Sequence, residues 1–185
     1  MRVISGAARG TRLVEPVNLE VRPTLDRVKE SFFNLIGQTL DGRTFLDLFA
    51  GTGSMGIEAL SRGAEKVFFV EKNAAVQALI KCNLEKCRMA DQVFRWRLIK
   101  QEALQALPLL QKQSVKFDYI YVDPPFADDL YQSTLSALEE VLKKDGWVIV
   151  EHFHKTELQE SYGKLKTFKY RRLGDSCLTF FQIEL

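Results

Sequence analysis

Thr44–Leu60, TFLDLFAGTGSMGIEAL, constrains this chain more than any other stretch. Thr44–Phe49 is short, apolar and partly β-branched or aromatic, which predicts a buried strand. Ala50–Gly56 then places three glycines in a tight turn, and Gly56–Leu60 opens a helix. A strand that feeds a glycine turn and a helix start brings bare backbone close to a ligand and aims unpaired N–H groups at it. Gly51-Thr52-Gly53-Ser54-Met55-Gly56 fits the G-x-G-x-x-G spacing of dinucleotide-binding folds, with Glu71 twenty residues after Gly51. The same geometry serves any adenosine-bearing cofactor whose ribose hydroxyls need an acid. Glycines that only permit tight strand–helix packing explain less, because strand, loop, helix and distant acid fall in register.

From Thr44 onward strands and helices alternate. Lys66–Glu71 is the second strand and ends on the acid, and Asn73 caps a helix running to about Cys87. Val93–Ile99 is a third strand. Its Arg95 and Arg97 alternate with Phe94, Trp96 and Leu98, as on a sheet edge with one polar face. A short helix, Glu102–Leu110, precedes a fourth strand, Phe117–Val122. A helix over Asp129–Lys143 and a strand over Trp147–Val150 follow. Thr156–Tyr162 reads as weakly helical. Thr167–Leu173 and Cys177–Glu184 flank Gly174-Asp175 as a tight hairpin. Such a series implies right-handed crossovers and a mostly parallel α/β sheet with an antiparallel strand added by the hairpin. Ligands then sit at the carboxyl ends of strands where strand order reverses. Ala50–Gly56, Glu71, Glu102 and Asp123 all follow strands and should converge there.

Ahead of this series, Arg2–Ser5 and Thr11–Val14 read as a small hairpin with Arg2, Arg9 and Arg12 at its tip or flank. Exposed arginines suit phosphate contact, although a merely solvated edge hairpin has the same composition. Thr24 is a good N-cap for a helix over Leu25–Ile36, stopped by Gly37, whose Val28, Phe32, Leu35 and Ile36 share a core face. Arg22, Arg27, Lys29 and Glu30 lie off that stripe and read as solvated, or as within reach of a cofactor carboxylate.

A net charge of +2 points to no partner by itself, and 46% hydrophobic with 27% charged residues is ordinary for a globular chain of 185 residues. One domain is expected over 1–185, with 1–20 as an N-terminal extension. No apolar run approaches the roughly 20 residues of a membrane span, and the N-terminus lacks a secretory apolar core. Three cysteines without a C-x-x-C fit a reduced, cytoplasmic protein. His152 and His154 lack a third ligand at metal spacing, so no metal is expected. Trp96 and Trp147 read as packing residues.

Asp123-Pro124-Pro125-Phe126 carries the chemistry. Two prolines remove two backbone donors and fix φ, and Asp123 is held extended by the proline after it. The result is a stiff rim of acceptors, suited to an amino group with two hydrogens to give. Phe126 offers a flat face on which a base could stack.

Together, DLFAGTGSMGIEALSRGA and VDPPF resemble the class I, S-adenosylmethionine-dependent amino-methyltransferases. MRVISGAARGTRL followed by RPTLDRVKESFFNL resembles, more narrowly, the bacterial small-subunit ribosomal RNA guanine-N2 methyltransferase family, whose target is guanine 966 of 16S RNA. The resemblance covers Met1–Val150 and implies a Rossmann-like, seven-stranded sheet with helices on both faces. It implies that Asp47, Phe49 and the Gly51-Thr52-Gly53 backbone hold the methionine part of the cofactor. Glu71, beside Lys72, would accept from the ribose, and Glu102 and Ala103 would lie by the adenine. Relatives often carry Asn or Asp at the position of Glu102. Asp123, Pro124, Pro125 and Phe126 would form the base pocket, with Asp123 also counted among the cofactor-binding residues, and Arg22 and Thr24 would lie near the cofactor carboxylate or the RNA. The partner implied is 16S rRNA, within the small subunit or an assembly intermediate, bound by a monomer. A nicotinamide-dependent oxidoreductase, a methyltransferase acting on another amino group of RNA or DNA such as adenine N6, and a non-catalytic RNA-binding module are the competing readings.

Overall fold

The computed structural model describes residues 1–16, 26–125 and 128–184. In chain order the elements are α1 (Asp26–Ile36), β1 (Thr44–Asp47), α2 (Ser54–Ser61), β2 (Lys66–Val70), α3 (Ala74–Lys86), β3 (Trp96–Ile99) and α4 (Ala103–Lys112). They continue with β4 (Phe117–Val122), α5 (Asp128–Ser136), β5 (Leu142–Phe153), β6 (Ser161–Tyr162), β7 (Leu165–Leu173) and β8 (Ser176–Ile183). The strands form one sheet in the order β3-β2-β1-β4-β5-β8-β7-β6. Strands β1 to β5 pair in parallel, whereas β8 is antiparallel to both β5 and β7. This is the Rossmann-like α/β architecture. The seven expected strands are joined by an eighth, the two-residue β6.

Both faces of the central strands are buried, so these strands read as unbroken apolar runs rather than alternating ones. Phe45, Tyr121, Ile149 and Phe180 pack with Val28, Phe32 and Phe33 of α1 and with α2 and α3. Their chain neighbours Leu46, Ile120, Val148 and Phe181 pack with α4 and α5 on the opposite face. The Asn73 side chain caps α3 as expected, accepting from the backbone N–H groups of Ala75 and Val76 at 2.9 and 3.2 Å.

Three stretches depart most from the sequence reading. Helix α5 stops at Ser136, a 3-10 turn covers Glu139–Val141, and β5 begins at Leu142. Leu135, Leu138 and Leu142 are buried as expected, but the last meets the sheet: Leu142 pairs with Phe117, and the ladder resumes with Trp147 opposite Tyr119. The intervening residues bulge outward, and Gly146 sits where a Cβ would lie 2.9 Å from the Phe117 carbonyl oxygen. Thr156–Tyr162 is not helical. It has too few apolar residues to bury a helical face, and Tyr162 packs into the α4–α5 side as part of β6 instead. Strand β3 starts at Trp96, because the Arg95 guanidinium turns inward to the carbonyls of Leu60 and Ala64 (3.0 and 2.8 Å). Val93 and Phe94 are left exposed. The predicted cap Thr24 lies outside the described residues.

Candidate active site

Strand order reverses between β1 and β4, and the loops leaving these two strands are laced together there. Leu48 N–H donates to the Tyr121 carbonyl (3.1 Å), Ala50 N–H to Val70 (2.9 Å) and Glu71 N–H to Ile99 (3.1 Å). The carboxyl ends of β1, β2, β3 and β4 are thereby held level.

The glycine loop has the conformation its sequence requires. Gly51 and Gly53 have φ of 53° and 77°, a region that side chains disfavour. A Cβ on Gly56 would lie 2.3 Å from a ring carbon of Phe69, so α2 approaches β2 at a distance only glycine allows. Thr52 is buried, and its carbonyl accepts from Asn83 Nδ2 at 3.0 Å. Phe49 is half-buried against the α4–α5 core.

Asp47 is fully buried, and its Oδ2 accepts from the Gly56 N–H at 2.9 Å. In this conformation it braces the glycine loop from beneath. Burial, with a smaller push from Glu71, raises its pKa from 3.8 to about 7. The folded protein keeps a proton that the unfolded chain has already released. Its contribution is therefore a destabilisation that sets in above the ordinary carboxylate range and is complete by about pH 7.

Glu71 reaches back to the same loop: Oε2 accepts from Gly51 N–H at 3.0 Å and Oε1 from Asn73 N–H at 2.8 Å. Lys72 Nζ lies 3.0 Å from Glu102 Oε1, an exposed pair of little energetic weight that nonetheless brings the ends of β2 and β3 together. Ala103 is buried beside it as the first residue of α4. At the end of β4, Asp123 is half-buried, Pro124 buried and Pro125 exposed. Phe126, Arg22 and Thr24 lie outside the described residues. The structure therefore gathers Asp47, Gly51, Gly53, Glu71, Lys72, Glu102 and Asp123 at one end of the sheet.

Two features were missed by sequence reasoning. Glu151 is buried at the end of β5, next to Asp123 across the Val122–Val150 pairing, and the Tyr121 hydroxyl donates to its carboxylate. A signal existed: LD, VE, VD and VE stand at or near the carboxyl ends of β1, β2, β4 and β5, four neighbours in the sheet, at Asp47, Glu71, Asp123 and Glu151. The second is Lys29, expected to be solvated but fully buried. Its Nζ donates to Ser54 Oγ (3.0 Å) and to the Arg2 carbonyl (2.5 Å), and it stands 3.6 Å from Glu58.

The N-terminal segment is less regular than a hairpin. One antiparallel bridge joins Arg2 to Arg12, and the turn between them docks on α2 through Ala7 and Ala8 N–H groups donating to Ser61 (2.8 and 2.9 Å). The side chains of Arg2, Arg9 and Arg12 are exposed. Arg2 and Arg12 line a cavity of about 390 Å³ with Met1, Leu13, Glu15 and Asp26. Met1 Sδ lies 3.9 Å from Thr52 Oγ1, which sets this cavity beside the glycine loop rather than in the crevice between Glu71 and Asp123. His152 is a packing residue: its Nε2 meets Thr179 Oγ1 at 2.8 Å, and burial lowers its pKa. Trp96 and Trp147 pack within the fold, as expected.

Residues 1–182 match the family described as Conserved hypothetical protein 95. The chain belongs to this family. It is similar to YlbH of Bacillus subtilis, 38% identical over 89% of this chain and 89% of that protein. It is also similar to the ribosomal RNA small subunit methyltransferase D of Haemophilus influenzae, 38% identical over 82% of this chain and 78% of the relative. Among solved structures, yhhF of Escherichia coli superposes with a TM-score of 0.84 at 27% identity, covering 100% of this chain and 98% of that one. The family match includes the N-terminal segment docked on α2 as well as the glycine loop and the Asp123 corner. Among the described residues, no helix of this family member is long and apolar enough to cross a membrane.

Proposed function

We propose that this chain transfers a methyl group from S-adenosylmethionine to the exocyclic N2 amine of a guanine in small-subunit ribosomal RNA, at guanine 966. The observation that carries the reading is the placement of Asp123 and Pro124 level with the glycine loop at the strand-order reversal. Relatives named as ribosomal RNA small subunit methyltransferases support the substrate.

The residues present suit the cofactor. Gly51 and Gly53 leave room for close backbone approach, Glu71 offers a carboxylate to ribose hydroxyls, and Asp47 braces from beneath the loop assigned to the methionine part. Ala103 leaves space by the adenine, with Glu102 at its edge. When bound, the sulfonium supplies an activated methyl group. The chain's own work is positioning. A guanine amine is a poor nucleophile because its lone pair is delocalised into the ring. Asp123 and the Pro124 carbonyl accept from its two N–H bonds, which favours a pyramidal nitrogen and the positive charge that grows on it. The nitrogen that gains a methyl loses one proton, and Asp123 is placed to receive it or pass it to water. The base must leave its stack to enter this crevice, and Phe126 is assigned to its flat face.

Glu71→Gln should weaken S-adenosylmethionine binding about 10-fold or more, the worth of a charge-assisted hydrogen bond or two. Calorimetry reads this directly, and unchanged affinity removes Glu71 from the ribose. Arg2, Arg9 and Arg12 are proposed to touch RNA phosphates. Replacing all three with Ala should lower the salt dependence of RNA binding, and an unchanged slope makes the segment structural. The reading as a whole is tested by mass spectrometry of ribosomal RNA nucleosides from cells with and without the gene. Loss of N2-methylguanosine is expected, and loss of N6-methyladenosine instead would reassign the target.

A further inference from the structure

Across the carboxyl end of the sheet one row of residues runs outward from the proposed catalytic corner. Asp123 stands beside Glu151 because Val122 pairs with Val150, Glu151 pairs with Leu178, and Leu178 pairs with Arg171. Three strand spacings of about 4.8 Å put Arg171 roughly 14 Å from Asp123. Strand β7 runs in the same direction as β5, so the turn that follows it, Gly174-Asp175, opens on the same end as the site.

Cations gather at that turn. Residues 164–173 hold Lys164, Lys166, Lys169, Arg171 and Arg172 and no acid. Lys164 is paired with Glu139 (2.6 Å) and Lys166 with Glu184 (2.7 Å), both at the opposite end of the strand. Among the described residues, Lys169, Arg171 and Arg172 have no carboxylate within ion-pair distance. Arg172 Nε donates to the Gly174 carbonyl at 3.0 Å. A Cβ on Gly174 would lie 2.8 Å from Arg27 Nη2, so the α1 guanidinium rests on the bare face of the turn. Arg27 sits in the first turn of α1, where the helix dipole favours acids. Asp175 faces away to His154, 3.6 Å from its Nδ1. Tyr170, 56% exposed, presents an aromatic ring one residue before Arg171. Arg27 and Arg172 both meet Gly174, while Arg171 shares the face of its partner Leu178, the α1 side on which Arg27 lies; like charges gathered this closely favour an anion.

We infer that Arg27, Arg171 and Arg172 form a cradle for the phosphates of the RNA strand flanking the extruded base. Arginine suits this task because its planar fork meets two phosphate oxygens at once. The inference rests on the RNA substrate proposed above. It differs from the role given to Arg2, Arg9 and Arg12, whose segment runs along α2 from Met1 beside the glycine loop to the turn docked on Ser61. The strand would then cross the site between two basic borders, with the Asp123 corner between them.

The test is binding of deproteinised small-subunit ribosomal RNA to the full chain, titrated between about 50 and 200 mM salt. Arg27→Gln/Arg171→Gln/Arg172→Gln should flatten the slope of log affinity against log salt by about 2 to 3, at roughly 0.7–0.9 per lost phosphate contact. Calorimetry should show S-adenosylmethionine binding unchanged, and the corresponding triple Lys variant should keep most of the slope. If the triple Gln variant loses the cofactor, the three single variants decide, each expected to flatten the slope by just under 1. An unchanged slope overturns the cradle and leaves these cations as guards of the open β7 edge against strand pairing. Mapping the methyl group separates the two readings. A methyl on a different base with a flattened slope fails the proposed target and keeps the cradle, whereas N2-methylguanosine with an unchanged slope does the reverse.

Discussion

Asp123→Ala should reduce methyl transfer by at least about 10²–10³-fold, the range seen when one preorganised polar contact to a transition state is removed. The substitution deletes the carboxylate that accepts from the amine and leaves the two prolines, and hence the backbone of the corner, in place. Binding of S-adenosylmethionine should survive, because the cofactor contacts proposed for Glu71 and for the glycine loop that Asp47 braces come from the ends of β1 and β2. Asp123→Asn sharpens the point. It keeps the size and one acceptor oxygen but turns an NH₂ group toward an amine that itself donates, so it should be nearly as inactive. Tritiated methyl incorporation measures the loss and calorimetry the retained binding. Wild-type turnover in Asp123→Ala would end the proposed mechanism.

Glu58→Ala carries the largest expected effect on stability, about 3–5 kcal/mol, the cost of stranding a buried charge. Glu58 is fully buried. Its carboxylate accepts from Ile4 N–H (2.8 Å), Ser5 N–H (3.0 Å) and Arg62 Nε (2.8 Å), with Lys29 Nζ at 3.6 Å. Burial holds the pKa of Lys29 below its usual value, and Glu58 is the main influence raising it again. Without the carboxylate, two buried cations and two backbone donors lose their shared acceptor. Glu58→Gln should cost less, since its amide oxygen can still serve the backbone. Urea unfolding gives the loss, and hydrogen exchange at Ile4 and Ser5 should accelerate before that of the sheet. A cost under about 1 kcal/mol would mean that the N-terminal segment is held by its apolar contacts, Val3, Ala8 and Leu13, instead.

What could be read from the sequence was whatever is written locally. The glycine loop is one such feature, because strand, turn and helix follow one another within Thr44–Leu60. The Asn73 cap and the Gly174 hairpin are others, each set by side chains a few residues apart. The α5–β5 boundary was not legible. Leu138 and Leu142 keep helical spacing, and only the pairing of Leu142 with Phe117 pulls the second into the sheet. Lys29 looked solvated because its acceptors, Arg2, Ser54 and Glu58, lie 25 to 29 residues away in either direction. The Tyr121–Glu151 contact likewise joins two strands through their pairing. The acids at the strand ends were visible one at a time. Their level alignment came only from the parallel register.

The docking of the first residues onto α2 bears on how the chain is made. Ile4 and Ser5 wait for an acceptor 54 and 53 positions later, and β1 for a neighbour, β4, that begins 73 residues after it. Such distant pairings are slow to form. A nascent chain leaving the exit tunnel must therefore carry Arg2–Val14 undocked until α2 follows it out, and an unfinished central gap in its sheet until Phe117–Val122 emerges.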